Sequence, residues 1–321
     1  MKAAIRRKYG SPAIINIENI ATPIPQEDEV LIRVHATTVN RTDCANLTAI
    51  PFIMRFVLGL FKPKQIVLGT DFAGEIIELG KNVQSFEVND RVFGFSDNGL
   101  ASQAEYICVP AKGNLFVIPD KINYQQAAAS LEGAHYAYSF IHKTNIQAGQ
   151  RIFINGATGA IGSALLQLVK QYDVHITASC NTKSIALIKS LGADKVYDYT
   201  KVDFSTLDDQ YDFVFDAVGK STFGKCKAVL KKEGIYISSE LGPYAQNIFF
   251  ALSTPFGSAK KVIFPIPYSP QETIPYIQNL LGQQKFVPLI DREYALEDIS
   301  TAYEYVLTGE KIGNVVIDMK S

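Results

Sequence analysis

The stretch with the clearest chemistry is a glycine turn between an apolar segment and a helical one. Arg151–Asn155 has the composition of a buried strand, and residues 163–170 repeat apolar side chains at helical spacing. Such a turn is typical of dinucleotide binding, because the N-terminus of the following helix offers unpaired N–H donors to phosphate. We predict that Gly159 lets the backbone approach a pyrophosphate and that Gly162 lets the helix pack closely on the strand. The turn comprises Gly156, Ala157, Thr158, Gly159, Ala160, Ile161 and Gly162, with Ala157 at the first glycine position of the plain pattern.

The end of the next predicted strand indicates which dinucleotide binds. Proteins that prefer NAD usually carry an acidic residue there, which binds the ribose 2′-hydroxyl. This chain has Ser179, Asn181 and Lys183 and no carboxylate between 179 and 183. Hydroxyl, amide and ammonium groups suit a 2′-phosphate, so the segment favours NADPH. Ser179 and Asn181 also suit the start and cap of the following helix, and the two roles are compatible.

These residues must be positioned by two different kinds of domain. Up to about residue 120 the chain has short β-segments, including 30–36, 74–80 and 104–109, and from 121 strands alternate with helices such as the one predicted over 182–191. Alternation of this kind predicts a parallel, doubly wound sheet, and the fold class is therefore α/β. Its strands are expected at 151–155, 174–178, 194–197, 212–216, 234–238 and 260–264. A helix near 271–282 and a strand at 314–318 are expected to complete the first, β-rich domain, which gives domains of 1–120 with 268–321 and of 121–267.

Composition and charge narrow the class of partner. The chain has 321 residues, 47% of them hydrophobic and 20% charged, and a formal net charge of -1. That balance provides no electrostatic reason to expect nucleic acid. No apolar run is long enough to cross a bilayer, and no signal-peptide core follows Met1. Cys44, Cys108, Cys180 and Cys226 are widely spaced, which argues against a structural zinc or a disulfide framework and favours a cytoplasmic location.

Several motifs in combination resemble the medium-chain dehydrogenase/reductase family, and most closely its zinc-independent quinone oxidoreductase (zeta-crystallin-like) branch. The resemblance covers nearly the whole chain. It implies a GroES-like catalytic domain, a Rossmann domain, a cofactor cleft between them and a homodimer. Besides the glycine turn, the motifs are Val-Asn-Arg-Thr-Asp at 39–43, Leu-Gly-Thr-Asp-Phe-Ala-Gly at 68–74, Phe-Glu-Val-Asn-Asp-Arg-Val-Phe-Gly at 86–94, Ser-Leu-Gly-Ala-Asp at 190–194 and Phe-Asp-Ala-Val-Gly at 215–219.

The resemblance also indicates where a catalytic zinc would bind if the protein had one. Zinc-dependent members hold a catalytic zinc at positions that match Asn40, Thr70 and Leu131 here. Asn and Thr are poor zinc ligands and Leu is none, whereas a catalytic zinc needs three good donors. The four clustered cysteines of the family's structural zinc lobe are missing as well. We therefore expect no metal, with Asp43 and Asp71 holding loops beside the site.

The resemblance assigns roles to further residues. It implies that Asn40 and Thr70 lie beside the nicotinamide as catalytic groups and that Lys183 and Tyr199 flank the 2′-phosphate. His135 replaces a threonine that contacts the cofactor in relatives. It is a candidate proton donor, with a packed structural histidine as the alternative. A tyrosine common in the branch is replaced by Ala45. Further contacts to NADPH are expected from Val218, Leu241 and Phe264.

The expected reaction is hydride transfer to a hydrophobic small molecule, either a quinone or an α,β-unsaturated carbonyl compound. Two alternatives stay open. One is an alkenal or enoyl-thioester reductase, which differs only in its acceptor pocket. The other is a largely non-catalytic NADPH-binding regulatory protein, which the missing tyrosine and the absent metal ligands would suit.

An apolar connection, residues 50–61, follows the Asn40 loop and precedes Lys62 and Lys64. Three interpretations are open: a buried helix or dimer contact, a lid over a hydrophobic acceptor, and a membrane-interface helix, with membrane contact not favoured. Residues 260–266 are expected to pair across a dimer, as the resemblance implies.

Overall fold

The computed structural model describes residues 1–257 and 259–319, which divide into two compact units, 1–132 with 269–319 and 133–268. Its strands are β1 (Lys2–Ile5), β2 (Asn16–Asn19), β3 (Glu29–Val39), β4 (Asp71–Leu79), β5 (Arg91–Phe95), β6 (Tyr106–Pro110), β7 (Phe116–Val117), β8 (Arg151–Asn155), β9 (His175–Cys180), β10 (Lys195–Asp198), β11 (Tyr211–Asp216), β12 (Leu230–Ser238), β13 (Lys261–Ile263), β14 (Ile290–Ala295) and β15 (Asn314–Asp318). Its helices are α1 (Arg41–Thr48), α2 (Arg55–Leu58), α3 (Tyr124–Ala129), α4 (Glu132–His142), α5 (Ala160–Val169), α6 (Ile185–Ser190), α7 (Phe223–Cys226), α8 (Gln246–Gly257), α9 (Pro270–Gly282) and α10 (Ile299–Thr308).

The first unit is built on a seven-stranded sheet whose order is β14-β15-β3-β4-β5-β7, with β6 paired to β3. The long strand β3 forms antiparallel hydrogen bonds with three other strands, β15, β4 and β6. The C-terminal strand β15 lies inside this sheet, so the end of the chain completes the β-rich unit. This arrangement confirms the GroES-like part of the predicted fold.

The first unit extends beyond residue 120, where the sequence pattern placed its end. Helix α3 packs against β3, β4 and β15 and therefore belongs with the sheet of the first unit. The change of unit falls after Glu132, at the start of α4. Residues 258, 320 and 321, which the predicted domains include, lie outside the described part of the chain.

The second unit contains a six-stranded, fully parallel sheet in the order β10-β9-β8-β11-β12-β13. The predicted strands agree with it to within a few residues, because each is a short apolar run. Strand order reverses at β8, the arrangement of a doubly wound sheet, in which right-handed crossovers are the rule. The doubly wound, Rossmann-type fold is confirmed. The helix expected over 182–191 is a 3₁₀ turn, Thr182–Ser184, continued by α6.

Candidate functional site

Asn40 lies at the junction between β3 and α1 in the first unit. Its extended backbone makes it the N-cap of α1, and its backbone N–H donates to the Asp43 carboxyl over 2.9 Å. Cys44 and Leu47, on one face of α1, pack against α10 in a buried apolar cluster, which fixes the helix and therefore Asn40. The cap and the buried face together set the position of the Asn40 amide.

Thr70 and two buried carboxyls join Asn40 in one hydrogen-bond network. Thr70 Oγ1 donates to Asp43 over 3.1 Å, and Asn40 Nδ2 donates to Thr38 Oγ1 over 2.7 Å. Asp71 accepts from the backbone N–H of Thr38 at 2.8 Å and from its hydroxyl. Asp43 and Asp71 thus hold loops through backbone groups, as expected. The two predicted catalytic residues of this unit, Asn40 and Thr70, thus donate to the same carboxyl, that of Asp43, through a backbone N–H and a hydroxyl.

The same cluster contains two ionisable groups that sequence reasoning missed. The ammonium of Lys311 lies 3.5 Å from Asn40 Oδ1, and the buried Glu132 accepts from the Thr42 hydroxyl over 2.8 Å. Burial raises the pKa of Glu132 to about 7 and lowers the pKa of Lys311. Nothing in the sequence pointed to Lys311, whereas Glu132 stands in a stretch that departs from relatives.

Burial disfavours the charged form of the carboxyl groups in this cluster. Burial raises the pKa of Asp71 to about 6, and burial with the nearby charges of Asp71 and Glu132 raises the pKa of Asp43 well above its ordinary value. Carboxylates that share one dry site raise one another's pKa values. Asp71 and Glu132 are therefore expected to titrate within the range of pH 6 to 7.

The glycine turn of the second unit has the predicted geometry at two of its glycines. A Cβ at Gly162 would lie 2.2 Å from the carbonyl oxygen of Gly156, so only glycine allows this approach of α5 to the turn. Gly156 has φ +78° and faces the Val218 side chain, which a Cβ would meet at 2.4 Å. At Gly159, the N-cap of α5, the nearest atom to a Cβ is 3.8 Å away. The space over Gly159 is open.

Ser179 has a different role from the predicted phosphate contact. Its buried hydroxyl donates to Asn155 Oδ1 over 2.7 Å and accepts from the Gly156 N–H over 3.1 Å. These bonds join β8, β9 and the glycine turn. The hydroxyl is thus turned inward, and Ser179 shapes the turn. The prediction that it offers its hydroxyl to a 2′-phosphate is corrected accordingly.

Asn181, Lys183 and Tyr199 follow the ends of β9 and β10. Asn181 Oδ1 caps the turn after β9 by accepting from the Ser184 N–H over 3.1 Å, while Lys183 and Tyr199 are exposed. Sequence reasoning missed Asp198, whose carboxylate lies among the same residues. It accepts from Thr182 and Thr200, and these bonds lower its pKa to about 2.

The other predicted cofactor contacts follow strands of the same parallel sheet. Val218 comes after β11, Leu241 after β12 and Phe264 after β13, and each is partly buried. The carboxyl ends of parallel strands lie along one edge of a sheet, where the switch of strand order at β8 opens a crevice for ligands. The glycine turn, Asn181, Lys183 and Tyr199 belong to that edge too.

His135 lies on α4 and is fully buried in the second unit. Its ring meets that of Tyr136 edge to face at 5.4 Å, and its backbone carbonyl accepts from the Ser139 hydroxyl. Gly133, on the same helix, approaches the backbone of Ala160 so closely that a Cβ would lie 2.7 Å from it. His135 therefore sits on a helix packed against the start of α5. Its role as a proton donor stays a prediction.

Comparison with known proteins decides the family. The chain is 31% identical over 333 residues to 2-methylene-furan-3-one reductase of Solanum lycopersicum, an alignment that covers 99% of this chain and 79% of that protein. The chain belongs to the medium-chain dehydrogenase/reductase family. The family model "Alcohol dehydrogenase GroES-like domain" matches residues 26–120, and "Zinc-binding dehydrogenase" matches 191–317.

Two further comparisons place this medium-chain reductase in the quinone oxidoreductase branch. It is 30% identical to the chloroplastic NADPH-dependent alkenal/one oxidoreductase of Arabidopsis thaliana over 335 residues, 99% of this chain and 79% of that one. The solved structure of the quinone oxidoreductase from Coxiella burnetii superposes with a TM-score of 0.88 at 25% identity, covering 100% and 99% of the two chains. At this level the chain is an oxidoreductase whose family binds a nicotinamide cofactor.

The residues that the resemblance matches to the family's zinc ligands are Asn40, Thr70 and Leu131. Leu131, at the third position, is fully buried. Across residues 1–257 and 259–319 there is no group of three or more His, Cys, Asp or Glu side chains arranged to hold a metal ion.

The apolar connection at 50–61 is not a buried helix, which corrects that half of the first interpretation. The dimer contact, the lid and the membrane-interface helix stay predictions. It forms a turn, Phe52–Met54, and the short helix α2. Seven of its large apolar side chains are exposed, and Phe61 is 89% exposed. In the described part of the chain, no helix is both long enough and apolar enough to span a membrane.

Proposed function

We propose that this protein is an NADPH-dependent, zinc-independent reductase that transfers a hydride to an α,β-unsaturated carbonyl compound or a quinone. The observation that carries the proposal is the pairing of Asn40 and Thr70 on the Asp43 carboxyl. The resemblance matches both residues to metal ligands of zinc-dependent relatives, and here the Asn40 backbone N–H and the Thr70 hydroxyl both donate to that carboxyl. This arrangement leaves hydrogen bonding, and not a Lewis acid, to orient a carbonyl oxygen.

The cofactor half of the proposal is supported by three features of the second unit. The space over Gly159 is open at the N-terminus of α5, where a pyrophosphate would receive N–H donors. Lys183 is exposed at the end of β9. The nearby carboxylate of Asp198 accepts hydrogen bonds from threonine hydroxyls and forms an ion pair with Lys201 at 3.5 Å. Gly159, Asn181, Lys183 and Tyr199 would hold the phosphates of NADPH, with Val218, Leu241 and Phe264 against the rest of the cofactor.

The bound cofactor would supply the hydride, and the chain's own residues orient and protonate the acceptor. Asn40 gives one N–H to Thr38 and receives the Lys311 ammonium at its oxygen. Its amide has two N–H donors, so one remains for a ligand oxygen. Reduction also requires one proton, for which His135 is the proposed donor.

The class of acceptor is best supported as an enone or enal. The names of two relatives, 2-methylene-furan-3-one reductase and alkenal/one oxidoreductase, both describe reduction of such compounds. The name of a third, the trans-enoyl reductase of Aspergillus terreus, 34% identical over 205 residues, keeps an enoyl thioester as a second candidate. A largely non-catalytic regulatory protein is the alternative of another class.

An acceptor screen tests the proposal. Purified protein is mixed with NADPH or NADH and a panel of quinones, enals, enones and enoyl thioesters, and oxidation of the nicotinamide is followed. We expect turnover with NADPH and enones, and elemental analysis without stoichiometric zinc. NADPH binding without oxidation across the whole panel would identify the regulatory alternative, and one zinc per chain would refute the metal-free mechanism.

We further propose a homodimer formed by the second unit. Strand β13 is the last strand of its sheet and leaves one edge without a partner strand within the described chain. Beside it, Phe249 and Leu252 on α8 and Ile266 after β13 are exposed apolar side chains. An open strand edge next to apolar side chains favours pairing with a second copy. The four free cysteines suit a reducing compartment, and a cytoplasmic location is proposed with them.

A further inference from the structure

A cavity in the first unit contains a buried positive charge. The cavity has a volume of about 210 Å³ and is lined, among others, by Arg6, Asn46 and Lys64. Arg6 is only 4% exposed, and one of its terminal N–H groups donates to the Asn46 carbonyl. Its Nε, like the side-chain oxygen of Asn46, has no hydrogen-bond partner in the structure. Both atoms are enclosed by protein, so the hydrogen bonding of the buried Arg6 is incomplete within the chain.

The charge of Arg6 is not balanced by a carboxylate. Within residues 1–257 and 259–319, no Asp or Glu oxygen comes within 4.0 Å of its guanidinium, which lies over the Tyr9 ring at 5.2 Å. Asp43 acts on it only from a distance, and burial raises the pKa of Asp43, which disfavours its charged form. Burial lowers the pKa of Arg6, yet guanidinium stays protonated in proteins. A buried charge without a partner is costly, so a bound anion would offset a real penalty.

The surroundings add positive charge and a rigid frame. Lys64 lines the cavity. The Arg55 guanidinium lies 5.0 Å from the centre of the Tyr9 ring, the same ring that the Arg6 guanidinium contacts. No acidic residue belongs to the lining. Gly69 and Gly99, both in the wall, have φ of +107° and +94°, and a Cβ at Gly69 would lie 2.3 Å from the Ser102 hydroxyl. The walls thus approach each other at positions that only glycine permits.

The cavity lies close to the proposed catalytic pair along the chain. Gly69 precedes Thr70, and Asn46 is on α1, six residues after Asn40 and so roughly 9 Å along the helix axis. Val57 and Leu58 of the apolar connection form another part of the wall. A ligand with an anionic end and an apolar body would match this combination.

We propose that this cavity binds a carboxylate and that the carboxylate is the acidic end of the reductase's acceptor, an assignment that rests on the proposed function. Arg6 would supply the forked donors that fit a carboxylate, with the ammonium of Lys64 as the second positive charge of the site. The preferred acceptors would then be enones with a carboxylate several carbons from the carbonyl group.

Calorimetry tests the carboxylate site without any turnover. Butanoate and hexanoate are titrated into the protein beside butanamide and hexanamide, which have the same shape and no charge. We expect the carboxylates to bind and the amides not to bind, with Arg6→Gln weakening the carboxylates about tenfold or more. Arg7→Gln is the matched control, because Arg7 is an exposed neighbour paired with Glu18. If Arg6→Gln does not fold, Lys64→Gln beside Lys62→Gln replaces the pair.

Equal binding of acid and amide, no binding of either, or unchanged binding in the Arg6 variant would overturn the site. Kinetics then tests the assignment to the acceptor: 7-oxonon-8-enoate should have a kcat/KM about tenfold above that of its methyl ester, with the preference lost in Arg6→Gln. Equal kcat/KM values would refute the assignment. If no acceptor of any kind oxidises NADPH, the proposed function fails, and calorimetry still decides on the carboxylate site.

Discussion

At the scale of single residues, Asn40 illustrates how a side chain that looks ordinary in sequence is specified by its contacts. Four partners act on it: the Asp43 carboxyl at its N–H, Thr38 and Lys311 at its amide, and the α1 helix that it caps. With these contacts made, one amide N–H is left over for a ligand. The identity of Asn40 was visible in the sequence, whereas Lys311, 271 positions away, was not.

Lys183 is the residue on which cofactor choice is predicted to depend. Lys183→Ala should raise the Kd of NADPH about tenfold and leave that of NADH unchanged, because only NADPH carries a 2′-phosphate for the ammonium to bind. Titration of each cofactor by calorimetry measures the difference. Lys189→Ala is the control, since Lys189 is exposed on α6 and has no proposed contact. Equal losses for both cofactors would show that Lys183 does not distinguish them.

Glu132 is predicted to make stability depend on pH. Its pKa in the folded chain, about 7, is above its ordinary value of 4.5, so its stabilising contribution is complete at low pH and is lost as pH rises through 7. The free energy of unfolding should therefore fall between pH 4.5 and pH 7, by on the order of 3 kcal/mol from this group. Asp71, with a pKa of about 6, acts in the same direction.

Glu132→Gln should make that decline shallower, because the amide does not titrate. Urea unfolding at pH 5, 6 and 7 provides the comparison, with Glu304→Gln, an exposed position on α10, as the control. A decline of the same slope in both variants and the parent protein would mean that Glu132 ionises in the folded chain as it does in water.

At the scale of elements, the turn between β8 and α5 contains glycines for two different reasons: close backbone packing at Gly162 and room for a ligand at Gly159. Gly162→Ala would force a Cβ into the Gly156 carbonyl, at 2.2 Å, and should cost about 3 kcal/mol, lowering Tm by several degrees. Gly159→Ala meets nothing within 3.8 Å other than its ligand and should leave Tm almost unchanged.

Gly159→Ala should instead weaken NADPH about tenfold, because a methyl group would occupy the space of the pyrophosphate. Differential scanning fluorimetry and calorimetric titration, run on both variants, separate the effect on folding from the effect on binding. Unchanged NADPH affinity in Gly159→Ala would place the pyrophosphate away from this residue.

Ser179 shows at the same scale why a residue's type does not determine its direction. From sequence, a serine at the end of β9 suits a phosphate. In the folded sheet its hydroxyl is enclosed between Asn155 and the Gly156 N–H, because β9 pairs with β8 beside the turn. Strand pairing decided which way the hydroxyl points, and that information is not local in sequence.

At the scale of the whole molecule, the exposed apolar side chains on α8 predict the mode of assembly. Phe249→Glu with Leu252→Glu should convert the proposed dimer to a monomer, because two charges would be buried at the interface. Sedimentation velocity measures the change. Phe56→Glu with Phe61→Glu, in the other exposed apolar segment, is the control and should leave the dimer intact. A dimer that persists in the α8 variant would place the interface elsewhere.

The sequence by itself determined the two-part α/β architecture, the glycine turn, the carboxylate-free end of β9 and the weak ligands at the family's metal positions. These depend on local periodicity and on residue types, which neighbouring positions are enough to reveal. Only the tertiary structure decided that Glu132 and Lys311 join the Asn40 network, that Ser179 faces inward, that residues 50–61 are exposed and that Arg6 lines a cavity without a counterion. Burial, charge pairing and side-chain direction arise from contacts between residues far apart in the chain, and the fold must bring them together before they exist.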